Sequence, residues 1–514
     1  MSRLPETKED YSSKIPAIKT LMALGWQYLS PAECLLKRGS NREVLLKDEL
    51  IAVLKKRRFS FKGETHPLST NAIEQIVREL SSPGLNEGLL VANERIYDKL
   101  CLGITVTEFI GGKKCQPTIP IIDWGSTSHN ISHSNNTSHS NNTFQVTEEL
   151  EVLNTQGTQT RRPDIVCYVN GIPLVVIEAK RPDSGNSNKN RVDEGISQNI
   201  RNQKNDEIPQ LFCYAQLLLA ISGTDGRYGT TKTKDKFWAA WREEVFTEAH
   251  FAKIKNTQQP DPVNKHLFGV REVQAKYFTG LEEKPQLVSE QDRLIISLLT
   301  PERLLEFIRF FTLFDKKVGK IVARYQQAFA TKALVKQINV RNTQGGREGG
   351  VIWHTTGSGK SFTMVFLTKA LLIDESLKEC RVLVVTDRTD LEKQLSLTFL
   401  SGGAFGSGIA NKKEGSKTRV KTGKDLAKRI GQGNERIIFS LVQKFTTAAK
   451  QPECHNPSSD LIVLIDEGHR SQGGENHERM RKALPNAAYV AFTGTPLLKD
   501  DKTTNKFGPI VHAY

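Results

Sequence analysis

Asp164, Glu178 and Lys180 stand at the two ends of a mostly apolar stretch, RRPDIVCYVNGIPLVVIEAKRP at residues 161–182. Two acids and an ammonium so placed admit two readings. They can be charges on a strand rim, where an exposed ion pair contributes little. Or they can be a cutting site. There, two carboxylates hold a divalent cation that generates hydroxide near neutral pH and stabilises a pentacovalent phosphate, while the lysine adds positive charge or positions the water. The second reading needs both acids within reach of one ion. DIVCYVN and LVVIEAK have the pattern of strands, and Asn170-Gly171 between them is a strong signal for a two-residue hairpin turn. That turn folds the strands together, and period-two alternation puts Glu178 and Lys180 on one sheet face.

A second constellation lies in VIWHTTGSGKSFTMVFLTKALL. A short strand, Val351–Trp353, runs into a Gly-rich turn and then a helix. The backbone N–H groups of Thr355, Thr356, Gly357, Ser358 and Gly359, together with the helix N-terminus, can cradle phosphates. Lys360 would reach the β- and γ-phosphates and Ser361 would hold Mg2+. His354 occupies the place where the strict pattern has Gly. Downstream, LIVLIDEGHRSQ gives a buried strand, Leu461–Ile465, with Asp466 and Glu467 at its carboxyl end, the edge where open α/β sheets bind ligands. Asp466 is expected to hold Mg2+ and Glu467 to orient the attacking water. VLVVTDRTDLEKQL and AFTGTPL put Thr386, Asp387, Arg388, Thr493, Gly494 and Thr495 at further strand ends, and ARYQQAF offers Tyr325 and Gln327 upstream.

The chain that must position these groups has 514 residues, too many for one small core. A hydrophobic content of 38% supports globular folding, and a net charge of +15 favours a polyanionic partner, nucleic acid first. Lys412, Lys413, Lys417, Arg419, Lys421, Lys424, Lys428 and Arg429 cluster, and such a run reads as a solvated face before it reads as a DNA contact. The 7 cysteines are scattered without a CxxC, which indicates reduced thiols and neither disulfides nor a zinc site. The polar start lacks a signal-peptide apolar region and no apolar run reaches membrane-span length, so a soluble, cytoplasmic protein without a membrane partner is expected. The tandem SHSNNT repeat at 132–143, with His129, His133 and His139 in or beside it, reads as a disordered polar loop, not a metal site. Helical spacing covers 71–80, and residues 192–222 also read as helical, ending near Gly223. A strand is expected over 144–152. From about residue 300, apolar strands alternate with helices, the mark of a parallel sheet covered on both faces.

GSGKS, DEGH and TGTP, in this order, resemble motifs I, II and III of superfamily 2 helicases. The DEGHRSQ form, together with RYQQ and FGPIVHAY, resembles more narrowly the restriction (motor) subunit of type I restriction-modification systems. The resemblance implies ATP and Mg2+ as cofactors, with Gln327 reading the adenine. It implies Thr386 and Arg388 near a DNA path, and Thr493 and Thr495 coupling nucleotide state to DNA grip. It also implies a nuclease domain ahead of the motor, similar to RecB-type PD-(D/E)xK nucleases. Asp164 and Glu178 would then be the metal ligands and Lys180 the third catalytic group. That family adds a QxxxY motif on the following helix. Gln198 starts such a stretch with Asn202 where Tyr is expected, while Gln210 to Tyr214 fits the letters farther from Glu178; Gln198 is taken as the catalytic glutamine, with Gln210 as the alternative. Arg162 would contact DNA phosphate or be a surface charge.

The expected organisation is therefore α/β. An endonuclease domain, a mixed sheet flanked by helices, spans 1–240 with a polar insertion at 125–143. A connecting segment spans 241–300. One RecA-like parallel-sheet domain spans 301–514, without the second RecA-like domain that a working motor needs. The expected function is that of an ATP-dependent DNA-translocating endonuclease subunit acting on double-stranded DNA with methyltransferase (M) and specificity (S) subunits. The alternatives are a stand-alone helicase-nuclease and a catalytically silent DNA-binding fragment.

Overall fold

The structure, a computed structural model, describes residues 10–125, 141–182, 191–258, 285–315, 318–343, 345–355, 357–377, 379–386, 389, 396, 419–466, 475–494 and 507–514. The histidines of the polar repeat, Thr356, Asp387, Arg388, Glu467, Thr495 and the lysines at 412, 413 and 417 lie outside these residues. The described chain folds as two compact units, one up to Arg309 and one from Phe310 onward. All seven cysteines are free. Among the described residues no helix is long and apolar enough to cross a membrane.

The first unit is built on a mixed six-stranded sheet whose spatial order follows the chain: β1 (Gln27–Leu29), β2 (Phe144–Glu148), β3 (Ile165–Val169), β4 (Ile172–Ala179), β5 (Leu217–Ile221) and β6 (Gly226–Gly229). β1 and β2 are parallel, as are β4 and β5; the other pairs are antiparallel. Every residue of β3, β4 and β5 is buried, so both faces of the sheet centre are covered and strict alternation disappears. Helices α1 (Ile15–Ala23), α2 (Pro31–Arg38), α3 (Lys47–Lys56), α4 (Thr70–Ser81) and α5 (Leu89–Leu102) precede the sheet centre. Helix α4 starts where Ser69 accepts the amide of Ala72 and buries Ala72, Ile73, Ile76 and Leu80, the spacing of one helix face. Helix α6 (Arg191–Asn202) forms the crossover between the parallel strands β4 and β5.

Two expectations are corrected here. Residues 192–222 are not one helix: α6 ends at Asn202, and Leu217–Ile221 is a fully buried strand. A short continuous apolar run such as LLLAI has no period to separate helix from strand. The strand expected over 144–152 ends at Glu148, because Glu149 takes a left-handed backbone (φ 47°).

The β3–β4 hairpin turns on Asn170 (φ 53°) and Gly171 (φ 77°), the backbone a two-residue hairpin turn needs. Its ladder carries an irregularity. Val169 pairs Ile172 and Tyr168 pairs Pro173, but Cys167 then pairs Val175, leaving Leu174 as an extra residue on β4. Pro173 has no N–H to donate to a ladder, and a bulge is where a sheet tolerates proline. The Leu174 carbonyl instead accepts the amide of Gln216 at 2.7 Å.

The second unit holds an all-parallel six-stranded sheet of β7 (Gly350–Trp353), β8 (Arg381–Thr386), β9 (Ile437–Leu441), β10 (Leu461–Asp466), β11 (Ala488–Thr493) and β12 (Ile510–Ala513), in spatial order β9-β8-β10-β11-β7-β12. Helix α7 (Tyr325–Asn339) precedes β7, and α8 (Lys360–Ile373), α9 (Gly423–Gln432) and α10 (Glu475–Ala483) lie between successive strands. Strand–helix alternation was legible in the sequence, and β8, β10 and β11 read as apolar runs because neither face meets water.

Candidate active sites

At the open end of the β3–β4 hairpin the register Ile165–Ile177 extends by one step to place Asp164 opposite Glu178. The two acids are thus cross-strand neighbours on one sheet face, where Cβ atoms lie about 4.5–5.5 Å apart. Asp164 Oδ2 accepts the Ala179 amide at 2.7 Å and faces Lys180 Nζ at 3.4 Å. Lys180 Nζ also donates to the Ala179 carbonyl at 2.7 Å, and the Lys180 amide donates to Ile221 on β5. The three groups converge. They are recessed: Glu178 is fully buried, while the side chains of Lys180 and Asp164 keep 12% and 10% of their exposure and form the accessible lip.

Burial pushes the Glu178 carboxyl well above the usual carboxylate range, and the neighbouring Asp164 charge pushes it further; Lys180 and Arg201 oppose the shift. Glu178 Oε1 accepts a hydrogen bond from Asn202 Nδ2 at 3.1 Å, whereas the buried Oε2 has no donor. With both carboxyls ionised, neither can donate to the other; a proton on one lets the pair share it. An orphaned buried oxygen beside a second carboxylate is the arrangement that a small divalent cation relieves. The donor set therefore fits a metal held by Asp164 and Glu178. Among the described residues there is no cluster of three or more His, Cys, Asp or Glu, so other ligands would be backbone carbonyl or water.

The wall behind Glu178 is α6. Gly195, Asn199 and Asn202 share one helix face. A Cβ on Gly195 would lie 3.2 Å from Ala220 Cβ and 3.4 Å from the Glu178 carbonyl, so the glycine permits close approach of helix to sheet. Asn199 Nδ2 donates to the Leu219 carbonyl at 3.1 Å. Gln198 lies half-buried on α6, one turn before Asn202, with no hydrogen bond to the three charged groups among the described residues. Gln210 and Tyr214 are engaged elsewhere, donating to the carbonyls of Leu153 and Leu80 at 2.7 Å each. Arg162 pairs with Glu151 at 2.5 Å and is largely exposed. Sequence reasoning passed over Asn202 and Arg201. Their only signal was that Asn202 fills the place where a tyrosine was sought.

In the second unit the Gly-rich turn leaves β7 at the carboxyl edge of the parallel sheet. Gly357 (φ 86°) and Gly359 (φ 88°) take left-handed backbones, and α8 begins at Lys360. Lys360 Nζ lies 3.5 Å from the His354 carbonyl. Asp466 ends β10 at the same edge, separated from β7 by β11 alone. This brings Thr355, Gly357, Ser358, Gly359, Lys360, Ser361 and Asp466 to one edge of the sheet. Gln327 takes an unforeseen position: its Oε1 accepts the Arg324 amide at 2.9 Å and its Nε2 donates to the Gly359 carbonyl at 3.2 Å. His354 is buried, and its Nε2 and His512 Nδ1 lie 2.9 Å apart. Burial, with the His512 and Lys360 charges, lowers its pKa to about 4.

Residues 6–237 match the family model described as type I restriction enzyme R protein N terminus, and residues 326–514 match the SWI2/SNF2 ATPase model. The chain is 29% identical to the type I restriction enzyme HindI endonuclease subunit of Haemophilus influenzae over 97% of its own length and 43% of that protein's. It is 24% identical to the SauMSSORF170P endonuclease subunit of Staphylococcus aureus, over 72% of this chain and 34% of that one. The chain thus spans less than half the length of the curated relatives it matches. Among solved structures, the UvsW helicase of bacteriophage T4 aligns with 46% of this chain and 76% of its own, at 16% identity and a TM-score of 0.29, too low to bear on the fold.

Proposed function

The chain is related over nearly its whole length to endonuclease subunits of type I restriction enzymes, and from that premise we propose that its first unit cleaves double-stranded DNA and its second binds the ATP that drives DNA translocation in the intact enzyme. The observation that carries the reading is the convergence of Asp164, Glu178 and Lys180 at one end of the sheet, in a segment matching the R protein N terminus. This is a PD-(D/E)xK arrangement. A Mg2+ ion bound there supplies a hydroxide nucleophile near neutral pH and stabilises charge on the phosphate. Asp164 and Glu178 hold that ion. Lys180, on the lip, holds its ammonium where a scissile phosphate oxygen or the water is positioned. Gln198, half-buried on α6, is assigned to handling the substrate, and Arg162 draws the phosphate backbone once released from Glu151.

In the second unit, Thr355, Thr356, Gly357, Ser358 and Gly359 bind the nucleotide phosphates through backbone N–H groups, with Lys360 on the β- and γ-phosphates. Ser361 and Asp466 hold Mg2+ and Glu467 orients the water. Gln327, already bound to the Gly359 carbonyl, links the base-binding side to the phosphate loop. DNA, methyltransferase (M) and specificity (S) subunits are the proposed partners.

The test is conversion of supercoiled plasmid to nicked and linear forms with Mg2+ and ATP, by the chain with its M and S partners. Wild-type cleavage lost in Glu178→Gln and Lys180→Ala is the expected result. Equal cleavage by all three proteins sinks the assignment.

A further inference from the structure

Glu178 is held by a side chain that is itself held. Asn202 Oδ1 accepts from Arg201 Nε at 3.3 Å and from Arg201 Nη2 at 3.1 Å. Its Nδ2 donates to Glu178 Oε1 at 3.1 Å. The amide has one orientation that satisfies both neighbours. Turned over, it would set a carbonyl oxygen against a carboxylate and an NH2 against a guanidinium. Arg201 is exposed, Asn202 is 1% exposed and Glu178 is 0% exposed, so the chain of contacts runs from solvent to the deepest acid. One carboxylate oxygen is occupied by this contact. The other, Oε2, is buried without a donor beside Asp164.

We propose that Asn202, oriented by Arg201, is a positioning residue that fixes Glu178 as a one-oxygen ligand for the divalent cation, presenting Oε2 and withholding Oε1. The inference rests on the nuclease reading above and deepens it. A carboxylate free to rotate can offer either oxygen or both, and each loose mode has to be frozen when the ion binds. Hydrogen bonds that orient a ligating side chain typically change metal affinity by about 10–100-fold when removed. Asn202 touches neither the ion nor DNA, so its loss weakens cation uptake more than turnover at saturating cation.

The experiment is calorimetric titration of the full chain with MgCl2, without DNA or nucleotide. Asp164→Asn serves as the reference that removes this site and leaves cation uptake elsewhere. The Asp164-dependent binding step should weaken by about 10–100-fold in Asn202→Ala. Arg201→Met lies at an exposed position, leaves the core intact and should weaken the step by a smaller factor. That variant keeps the proposal testable if Asn202→Ala fails to fold. Unchanged Mg2+ affinity in Arg201→Met and, where it folds, in Asn202→Ala overturns the positioning role while leaving the nuclease reading in place. Wild-type protein with no Asp164-dependent uptake overturns both. Plasmid cleavage at saturating Mg2+ provides the second readout, and a loss of turnover in Arg201→Met equal to its loss of affinity also refutes positioning through Glu178.

Discussion

Asp164 Oδ2 accepts the backbone amide of Ala179 at 2.7 Å, so the acid on one strand closes the ladder to the strand that carries the other acid. The carboxylate has two tasks at one atom: it ends the sheet and it faces the lysine. The tasks are separable by substitution. Asp164→Asn keeps an oxygen for the amide and removes the charge, and should abolish Mg2+-dependent nicking with little change in Tm. Asp164→Ala should abolish nicking and also cost about 1–3 kcal/mol for the stranded amide. Paired melting and plasmid assays check this; a melting loss in Asp164→Asn as large as in Asp164→Ala contradicts it.

The two units should respond to pH in opposite senses. The folded pKa of Glu178 is raised, so the folded state holds a proton that the unfolded chain releases. That contribution is complete below the unfolded carboxyl value, about 4.3, and is lost as pH rises through the folded value. In chelator, Glu178→Gln should therefore raise the Tm of the first unit at neutral pH, and added Mg2+ should narrow the gap.

His354 has the opposite sign. Its folded pKa is lowered to about 4, so its contribution is present above the unfolded value and is lost as pH falls from about 6.5 toward 4. The melting transition of the second unit, followed in mildly acidic buffers, should drop across that window. His354→Asn should flatten the slope; an unchanged slope would show that other groups set it.

Lys360→Ala should weaken binding of a fluorescent ATP analogue by about 10–100-fold, the loss of a charge-assisted contact to phosphate. Gln327→Ala removes the bond to the Gly359 carbonyl and the contact to the Arg324 amide. Its expected loss is smaller, about 3–10-fold, since a neutral hydrogen bond contributes roughly 0.5–1.5 kcal/mol. Full retention of affinity in Gln327→Ala would show that the side chain is spent on folding alone.

Gly171→Ala tests the turn. Its φ is 77°, and a Cβ would stand 2.4 Å from the Leu46 carbonyl oxygen, a backbone atom that cannot swing away. The cost should be about 1–3 kcal/mol and the Tm of the first unit should fall by several degrees, roughly 2–4 °C per kcal/mol. Nicking should fall with it, since both acids hang on this hairpin.

Much of this was legible because it is local. Asn170-Gly171 announces its turn, and GSGKS and LIVLIDE announce the strand ends of a parallel sheet. What was not legible depends on distant partners. LLLAI reads as helix or strand until β4 and β6 flank it. Asn202 becomes meaningful only when α6 docks over Glu178, and Gln327 only when α7 reaches the phosphate loop. The face shared by Glu178 and Lys180 followed from alternation, but the pairing of Glu178 with Asp164 did not, because nothing in a period-two count reveals the extra residue at Leu174.

That extra residue fixes the phase of the hairpin. Were Leu174 paired in the ladder like its neighbours, Asp164 would face Ile177, and Glu178 would stand one place out of step with its partner acid. The turn and the bulge therefore work as a vernier: the first brings the strands together, the second trims the alignment by a single notch. Deleting Leu174 would leave a regular hairpin in which Asp164 still meets Glu178, whereas drawing Leu174 into the ladder would part the two acids, so cutting ability rides on the bulge absorbing that one residue.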